Sequence, residues 1–155
     1  MRWLTRWIAT AGGLGYSPVA PGTVGSLAGV LLGFLTASQP PWIRIGLLAV
    51  IFVLGAVMST STERFSGVRD PSFVVIDEVW GMWAVLVACP SVLRSFGWVA
   101  LAFGLFRLFD VIKPPPVKWL ERAPEGWGIM LDDLGAAAYT ILILRLVLVL
   151  NHVIT

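Results

Sequence analysis

Histidine and cysteine are nearly missing from this 155-residue chain, with one of each, and Asp, Glu, Lys and Arg together make up only 13% of it. The single histidine, His152, lies beyond the last apolar run, with three residues after it in the sequence. That position excludes a Ser-His-Asp hydrolase, histidine-dependent lipid phosphatases and phosphodiesterases built on paired histidines. The single cysteine, Cys89, sits inside the apolar run WAVLVAC, so there is no disulfide framework and no Cys/His metal cluster. It reads as a buried thiol packing like a small hydrophobe. A cysteine phosphatase needs Cys-x5-Arg, and Arg94 falls one residue short of that spacing. No Asp-x-Asp pair and no Gly-x4-Gly-Lys-Ser/Thr loop occurs. The bases are scattered and the net charge is only +2, which leaves no footprint for nucleic acid. Acid, base or metal chemistry must therefore come from carboxylates.

What the chain has in abundance is apolar sequence: 57% of its residues are hydrophobic and its mean hydropathy is +0.86. This composition predicts one integral-membrane domain over residues 1–155. Apolar runs fall at about 24–37, 43–59, 79–93, 97–109 and 134–150. Several are short, since seventeen helical residues cover only about 26 Å and a spanning helix wants roughly twenty residues. The expected fold is all-α, a polytopic membrane bundle of four or five transmembrane helices, some short or broken. The third and fourth runs are either one bent helix or two. The opening residues, MRWLTRWIATA, place Arg2/Arg6 and Trp3/Trp7 at i,i+4 spacing, a basic and aromatic face suited to an N-terminal interfacial helix. Glycines follow instead of a continuous apolar region with a cleavage site, so the segment is not read as a signal peptide.

If five runs alternate across a bilayer, Arg2, Arg6, Arg64, Arg69, Arg107, Lys113, Lys118 and Arg122 share one face, against Arg44 and Arg94 near the other. The positive-inside rule places the first group in the cytoplasm. All the acids fall on that same face: Glu63, Asp70, Asp77, Glu78, Asp110, Glu121, Glu125, Asp132 and Asp133. Arg145, inside ILILRLVLVL, is the exception, and reads as a snorkelling or ion-paired side chain or as a substrate contact.

Three polar stretches carry the candidate chemistry. The glycine- and proline-rich segment at 12–26 forbids regular helix over most of its length. Its end offers Thr23 or Ser26 as the N-cap of the next helix, whose free N–H groups would then face a phosphate. Asp77-Glu78 opens the third run, where acids suit the helix dipole and also suit a metal. Adjacent helical side chains diverge by about 100°, so in Asp77-Glu78 and in Asp132-Asp133 one member would face a ligand and the other support it. In FRLFDVIKPPPVKWLERAPEGWGIMLDDLGAA, at 106–137, Arg107, Asp110 and Lys113 recur every third residue on one helical face, and Pro114 ends that helix. Gly126 and Gly128 are expected to loosen the start of the last helix.

Five carboxylates (Asp77, Glu78, Asp110, Asp132, Asp133), two cations (Arg107, Lys113) and a glycine-rich turn suit a hard divalent cation and a phosphate group. Mg2+ favours one or two carboxylates with water and substrate phosphate, and metal-assisted hydrolysis is the economical chemistry without histidine. Water or an aspartate could be the nucleophile. The alternative is a small ion- or proton-coupled transporter, since intramembrane charge also marks conduction paths.

Four blocks taken together carry a resemblance: SPVAPGTVGS at 17–26, DPSFVVIDEVWGMW at 70–83, FRLFDVIKPPP at 106–116 and GWGIMLDD at 126–133. In this order, over nearly the whole chain, they resemble the signature blocks of the phosphatidylglycerophosphatase A family. The resemblance implies a magnesium-dependent lipid phosphatase of the bacterial inner membrane, multi-pass, with its active site facing the cytoplasm. Its substrate would be the membrane lipid phosphatidylglycerophosphate, converted to phosphatidylglycerol and inorganic phosphate in phospholipid biosynthesis. Asp77, Glu78, Asp110, Asp132 and Asp133 match the family's acidic positions, and Arg107 and Lys113 its basic ones. Pro115 and Trp127 depart from the pattern, standing where an aromatic and a smaller residue are usual.

Overall fold

The computed structural model describes residues 2–154, with side chains over 3–151. The Arg2 side chain and that of His152 therefore lie outside the described residues. Helices dominate: α1 (Arg2–Ala9), α2 (Pro21–Leu35), α3 (Pro41–Ser66), α4 (Ile76–Ala88), α5 (Phe96–Ile112), a single-turn α6 (Val117–Leu120) and α7 (Gly126–Ile154). Among the described residues there is no strand, so the chain is all-α as the sequence predicts.

The third and fourth apolar runs are two helices. Pro90 opens a short 3-10 turn over Pro90–Arg94, and Ser95 is extended before α5 begins. Among the described residues two helices are long and apolar enough to cross a membrane: α3, with mean hydropathy 2.2, and α7 over Gly126–Asn151, with mean hydropathy 2.0. The 15 residues of α2 and the 13 of α4 reach only about 22 Å and 20 Å at 1.5 Å per residue. The bundle thus combines two long apolar helices with shorter ones.

The third run is the core of the molecule. Buried along nearly its whole length, α4 packs against α2, α3, α5 and α7. Trp80 Nε1 donates to Leu48 O of α3 at 2.8 Å, and Trp83 Nε1 to Thr36 Oγ1 at the end of α2 at 3.0 Å. On α2, Gly22, Gly25, Gly29 and Gly33 line one buried stripe. A Cβ at Gly29 would stand 2.6 Å from Val79 O and 2.9 Å from Met82 Cβ, so the two helices lie against each other with no room for a side chain. Small residues at such spacing are how apolar helices approach backbone to backbone.

Helix limits differ from the apolar runs where polar sequence still favours helix. Beyond its last apolar residues α3 continues through Glu63 and Arg64, because STSTERFS contains neither glycine nor proline, and stops where Gly67 takes φ 67°. The helix α2 starts at Pro21 with Ala20 as N-cap, ahead of both Thr23 and Ser26. Proline preset for helical φ at the first position sets that start, so neither expected N-cap holds. Gly126 and Gly128 do not loosen α7. A Cβ at Gly128 would stand 2.6 Å from Glu121 O, and Gly126 abuts the α3 backbone at Ala56 and Thr60, so both glycines permit close packing.

The first helix is amphipathic as predicted. Thr5 and Ala9 are buried, while Trp3 and Trp7 are exposed, their rings 6.4 Å apart and stacked. Cys89 is a free, buried thiol. Arg145 has a structural partner: its Nη2 donates to Ala88 O at 3.3 Å, covering a carbonyl at the C-terminal end of α4.

Candidate active site

The polar ends of α4, α5 and α7 meet the start of α2 around a cavity of about 340 Å³. Asp77, Glu78, Arg107, Asp110, Lys113 and Asp132 line it, with Ala20, Pro21 and Gly22 from the first turn of α2 and Asp70 and Ser72 from the α3–α4 loop. The structure therefore brings together on one surface residues separated by more than a hundred positions in the chain. Asp133 sits behind this surface, only 1% exposed.

Three carboxylates form the centre. One oxygen each from Asp77, Glu78 and Asp133 lies within 4.8 Å of the others. Asp77 Oδ1, Glu78 Oε2 and Asp133 Oδ2 are buried and accept no hydrogen bond. Leaving one buried polar atom unsatisfied costs roughly 1–3 kcal/mol, and more when it is charged. Three converging, unsatisfied carboxylate oxygens are a donor set for a hard cation. Both Asp77 and Glu78 contribute an oxygen to this cluster, where the sequence suggests one facing a ligand and the other supporting it.

Around the centre, each cation is held by an acid. Arg107 Nη1 lies 2.6 Å from Asp110 Oδ2, one helical turn on, and 3.9 Å from Glu78 Oε1. It also donates to Ser26 Oγ at 3.4 Å, and that hydroxyl donates back to Gly22 O at 2.9 Å. Ser26 is fully buried, so it positions Arg107 from behind. Thr23 does not line the cavity; its N–H bonds Ala20 O at 2.9 Å. Gly22 of this turn lines the cavity instead, and a Cβ there would meet Glu78 and the Arg107 guanidinium.

Lys113 ends α5 in the left-handed conformation, φ 48°, which turns its side chain back over α7. Its Nζ is 2.6 Å from Asp132 Oδ2 and 3.3 Å from Glu121 Oε1. Burial works against the Lys113 charge, but bonding and attraction from Asp132 and Glu121 outweigh it and raise its pKa above the usual lysine value. Asp132 Oδ1 accepts the Asp133 N–H at 2.9 Å. Within the Asp132-Asp133 pair the split is therefore clear: Asp133 enters the carboxylate centre and Asp132 holds Lys113.

One acid missed as a site residue, Asp70, borders the cavity, and a second, Glu63, lies behind it. Burial pushes the Asp70 carboxyl above its usual range, a shift that Lys113 opposes and that Glu121 and Asp110 reinforce. The Asp70 N–H donates to the buried Glu63 Oε1 at 2.7 Å, which fixes the loop leading into α4. Only their place in the same polar stretch as Asp77 pointed to them.

An apolar helical bundle with a buried carboxylate centre, flanked by two acid-held cations at one end, defines the class: a helical membrane-type protein with a site suited to a divalent cation and a phosphate. The comparisons agree. The family model described as phosphatidylglycerophosphatase A matches residues 7–148, and the chain belongs to that family. A protein of Haemophilus influenzae named phosphatidylglycerophosphatase A is 40% identical over 139 residues, covering 88% of this chain and 83% of that protein. The Escherichia coli protein of the same name is 37% identical over 131 residues, covering 83% and 74%. A Bacteroides thetaiotaomicron protein named putative phosphatidylinositol-3-phosphatase is 34% identical over 141 residues, covering 88% and 89%. No solved structure matches the chain significantly.

Proposed function

We propose that this protein is a single-domain, magnesium-dependent phosphatase of the bacterial inner membrane that hydrolyses phosphatidylglycerophosphate to phosphatidylglycerol and inorganic phosphate. Membership of the phosphatidylglycerophosphatase A family supports the reaction. The observation that carries the metal-assisted chemistry is the Asp77, Glu78 and Asp133 oxygens, buried and without hydrogen-bond partners. These three side chains would hold Mg2+, which when bound supplies Lewis acidity toward a phosphoryl oxygen.

The rest of the site binds and orients. Arg107 and Lys113 line the cavity and attract the terminal phosphate, and Gly22 lets the α2 backbone come close to it. Asp110 and Asp132 hold those two cations in place, a positioning role in addition to the metal role that the family resemblance implies for them. In the reaction, an oxygen nucleophile forms a bond to phosphorus as the bond to the glycerol oxygen breaks. The leaving alkoxide takes up a proton, and the cations offset the charge that develops on the phosphoryl oxygens.

With the positive-inside rule, the site faces the cytoplasm. The transporter reading is not favoured, because the acids gather at one end of the bundle and do not line a path across it. The test is phosphate release from phosphatidylglycerophosphate by purified protein in detergent. Wild type should be active with Mg2+, inactive after chelation and active again when Mg2+ is restored, while Asp133→Asn should lose activity by about 100-fold or more. Release that survives both chelation and Asp133→Asn would overturn the metal-assisted assignment.

A further inference from the structure

The Lys113–Asp132 pair has different surroundings on its two sides. Beyond it, at the start of α7, lies a second polar cavity of about 400 Å³ with Glu121 and Glu125 in its lining. On the inward side lies an apolar groove of about 410 Å³, bordered by α6 and α7. Leu134, Ala138 and Leu142 line it from α7 at four-residue spacing, and Val117 and Leu120 line it from α6.

Its depth follows from two helices. Along α7, Gly135 stands about one turn past Asp132, and Leu142 lies about 15 Å past it along the axis, inside the long apolar span. Along α5, Phe109 lies one turn inward of Lys113, and its ring stacks on Tyr139 of the groove with centroids 5.3 Å apart. The groove therefore runs from the catalytic cavity toward the middle of the bilayer. Its shape is built in. A Cβ at Gly135 would stand 2.7 Å from Val117 Cγ2 and 3.3 Å from Leu120 Cδ1, so the missing side chain lets α6 lie against α7. Tyr139 is fixed by the Phe109 ring and by its own hydroxyl, which donates to Pro115 O at 2.6 Å. With that hydroxyl committed and no charged residue among those lining the groove, the surface it presents is apolar. Leu134, Ala138 and Leu142 are exposed, which leaves the groove open to the lipid side.

We propose that this groove seats one acyl chain of the lipid whose terminal phosphate lies against Lys113 in the catalytic cavity. The inference rests on the proposed function, which supplies a substrate with its polar end at the cavity and its chains in the bilayer. The polar linker of that lipid passes the loop over 114–116, which joins Lys113 of the cavity to Pro116 of the groove. A hydrocarbon chain brings no polar group that needs a partner, which matches an uncharged lining. Any membrane lipid can lay a chain on an exposed apolar surface, but the substrate has an advantage. Once its phosphate is held, its own chain is tethered beside the groove at high effective concentration. Its contacts with the fixed side chains are dispersion contacts, each weak and together substantial. They act on binding and leave the reacting phosphorus untouched, so the groove selects acylated phosphomonoesters over the bare headgroup.

Kinetics and photolabelling in neutral detergent micelles test the assignment. Ala138→Phe puts a ring into the groove, and Val53→Phe puts one on the exposed face of α3 as a control. Ala138→Phe should raise KM for phosphatidylglycerophosphate at least about fivefold with kcat within about twofold. Its kcat/KM for the deacylated headgroup should stay within about twofold of wild type, and Val53→Phe should alter neither substrate's kinetics. Circular dichroism and detergent gel filtration check that each variant is folded. For labelling, the probe is a phosphatidylglycerophosphate analogue with a non-hydrolysable terminal phosphonate and a diazirine on one acyl chain. It should label α7 between Leu134 and Leu142, at least about fivefold more than phosphatidylcholine bearing the same chain, and unlabelled substrate should displace it. Equal labelling by the two lipids would mean that bulk lipid fills the groove, and label confined to another helix would place the chain elsewhere; either overturns the proposal. So does a KM unchanged by Ala138→Phe, or a loss that extends to the deacylated headgroup or to Val53→Phe. Wild-type protein that releases no phosphate from the lipid would instead refute the proposed function itself, so the two failures are distinguishable.

Discussion

At the scale of single residues, the site divides its charges into a bare centre and buttressed flanks. One carboxylate oxygen each of Asp77, Glu78 and Asp133 is buried without a hydrogen-bond partner, while each cation has a dedicated acid: Asp110 for Arg107 and Asp132 for Lys113. Two predictions belong here. Arg107→Gln should lower kcat by about 10²–10³, the usual loss when one preorganised donor to developing charge is removed. Asp110→Asn, which only loosens Arg107, should cost less, and steady-state kinetics on both variants checks the order. For Lys113, a raised folded-state pKa means that its contribution to stability is whole below the unfolded lysine value, near pH 10.4, and is lost only as pH rises through the higher folded value. Lys113→Met should therefore lower unfolding free energy by about 2 kcal/mol, with a gap that stays constant between pH 7 and 9 in thermal melts.

At the scale of elements, the α2–α4 contact decides whether the site exists, because it places the first turn of α2 over Glu78 and Arg107. Gly29→Val would drive methyl groups into Val79 O and Met82 and should destabilise the fold by about 1–3 kcal/mol, the usual cost of overpacking. Gly46→Ala on α3 has nothing within 4 Å of the added Cβ. It should be neutral, or stabilising by up to about 1 kcal/mol, and thermal unfolding in detergent compares the pair. The reason the α2 stripe was hard to read lies in PGTVGSLAGVLLGFL itself. Four glycines there look like helix breakers until a partner backbone is known to occupy the space they leave. Thr23 and Ser26 were misplaced as caps for a related reason, since proline at the first helical position moved the start of α2 upstream of both.

At the scale of the molecule, two long apolar helices and a short buried one make an asymmetric bundle with its polar chemistry at one end. The apolar runs were legible because each is bounded by proline, glycine or charge; SQPP separates two helices as expected, and PSVLR, which the sequence left open between a bend and a break, separates two as well. The surroundings of the third run were not, since an apolar run looks the same whether lipid or protein covers it. The proposed orientation gives a whole-molecule prediction. With a membrane-impermeant maleimide applied to intact cells, Gln39→Cys in the α2–α3 turn should label, and Pro124→Cys beside the polar cavities should label only after lysis. The reverse pattern would invert the orientation.

The sequence by itself determined the chemistry available to this protein. One histidine outside the apolar runs and one cysteine inside one left carboxylates as the groups available for acid, base or metal work, hydropathy set the helical class, and four ordered blocks indicated the family. It also led to the expectation that one member of Asp132-Asp133 faces a ligand and the other supports it, because successive helical side chains diverge; in the structure Asp133 joins the carboxylate cluster and Asp132 bonds Lys113. Only the tertiary structure decided which acids meet. Distances between α4 and α7 depend on glycine contacts and buried tryptophans far from the carboxylates, so sequence spacing could not tell that Asp77, Glu78 and Asp133 form the centre while Asp110 and Asp132 hold the cations. Nor could it reveal a second polar cavity in which Glu121 pairs with Lys113 and Glu125 with Arg64. Pairing between side chains set far apart in the chain is a property of the fold, and it is pairing that separates a charge free to bind a ligand from one already spent.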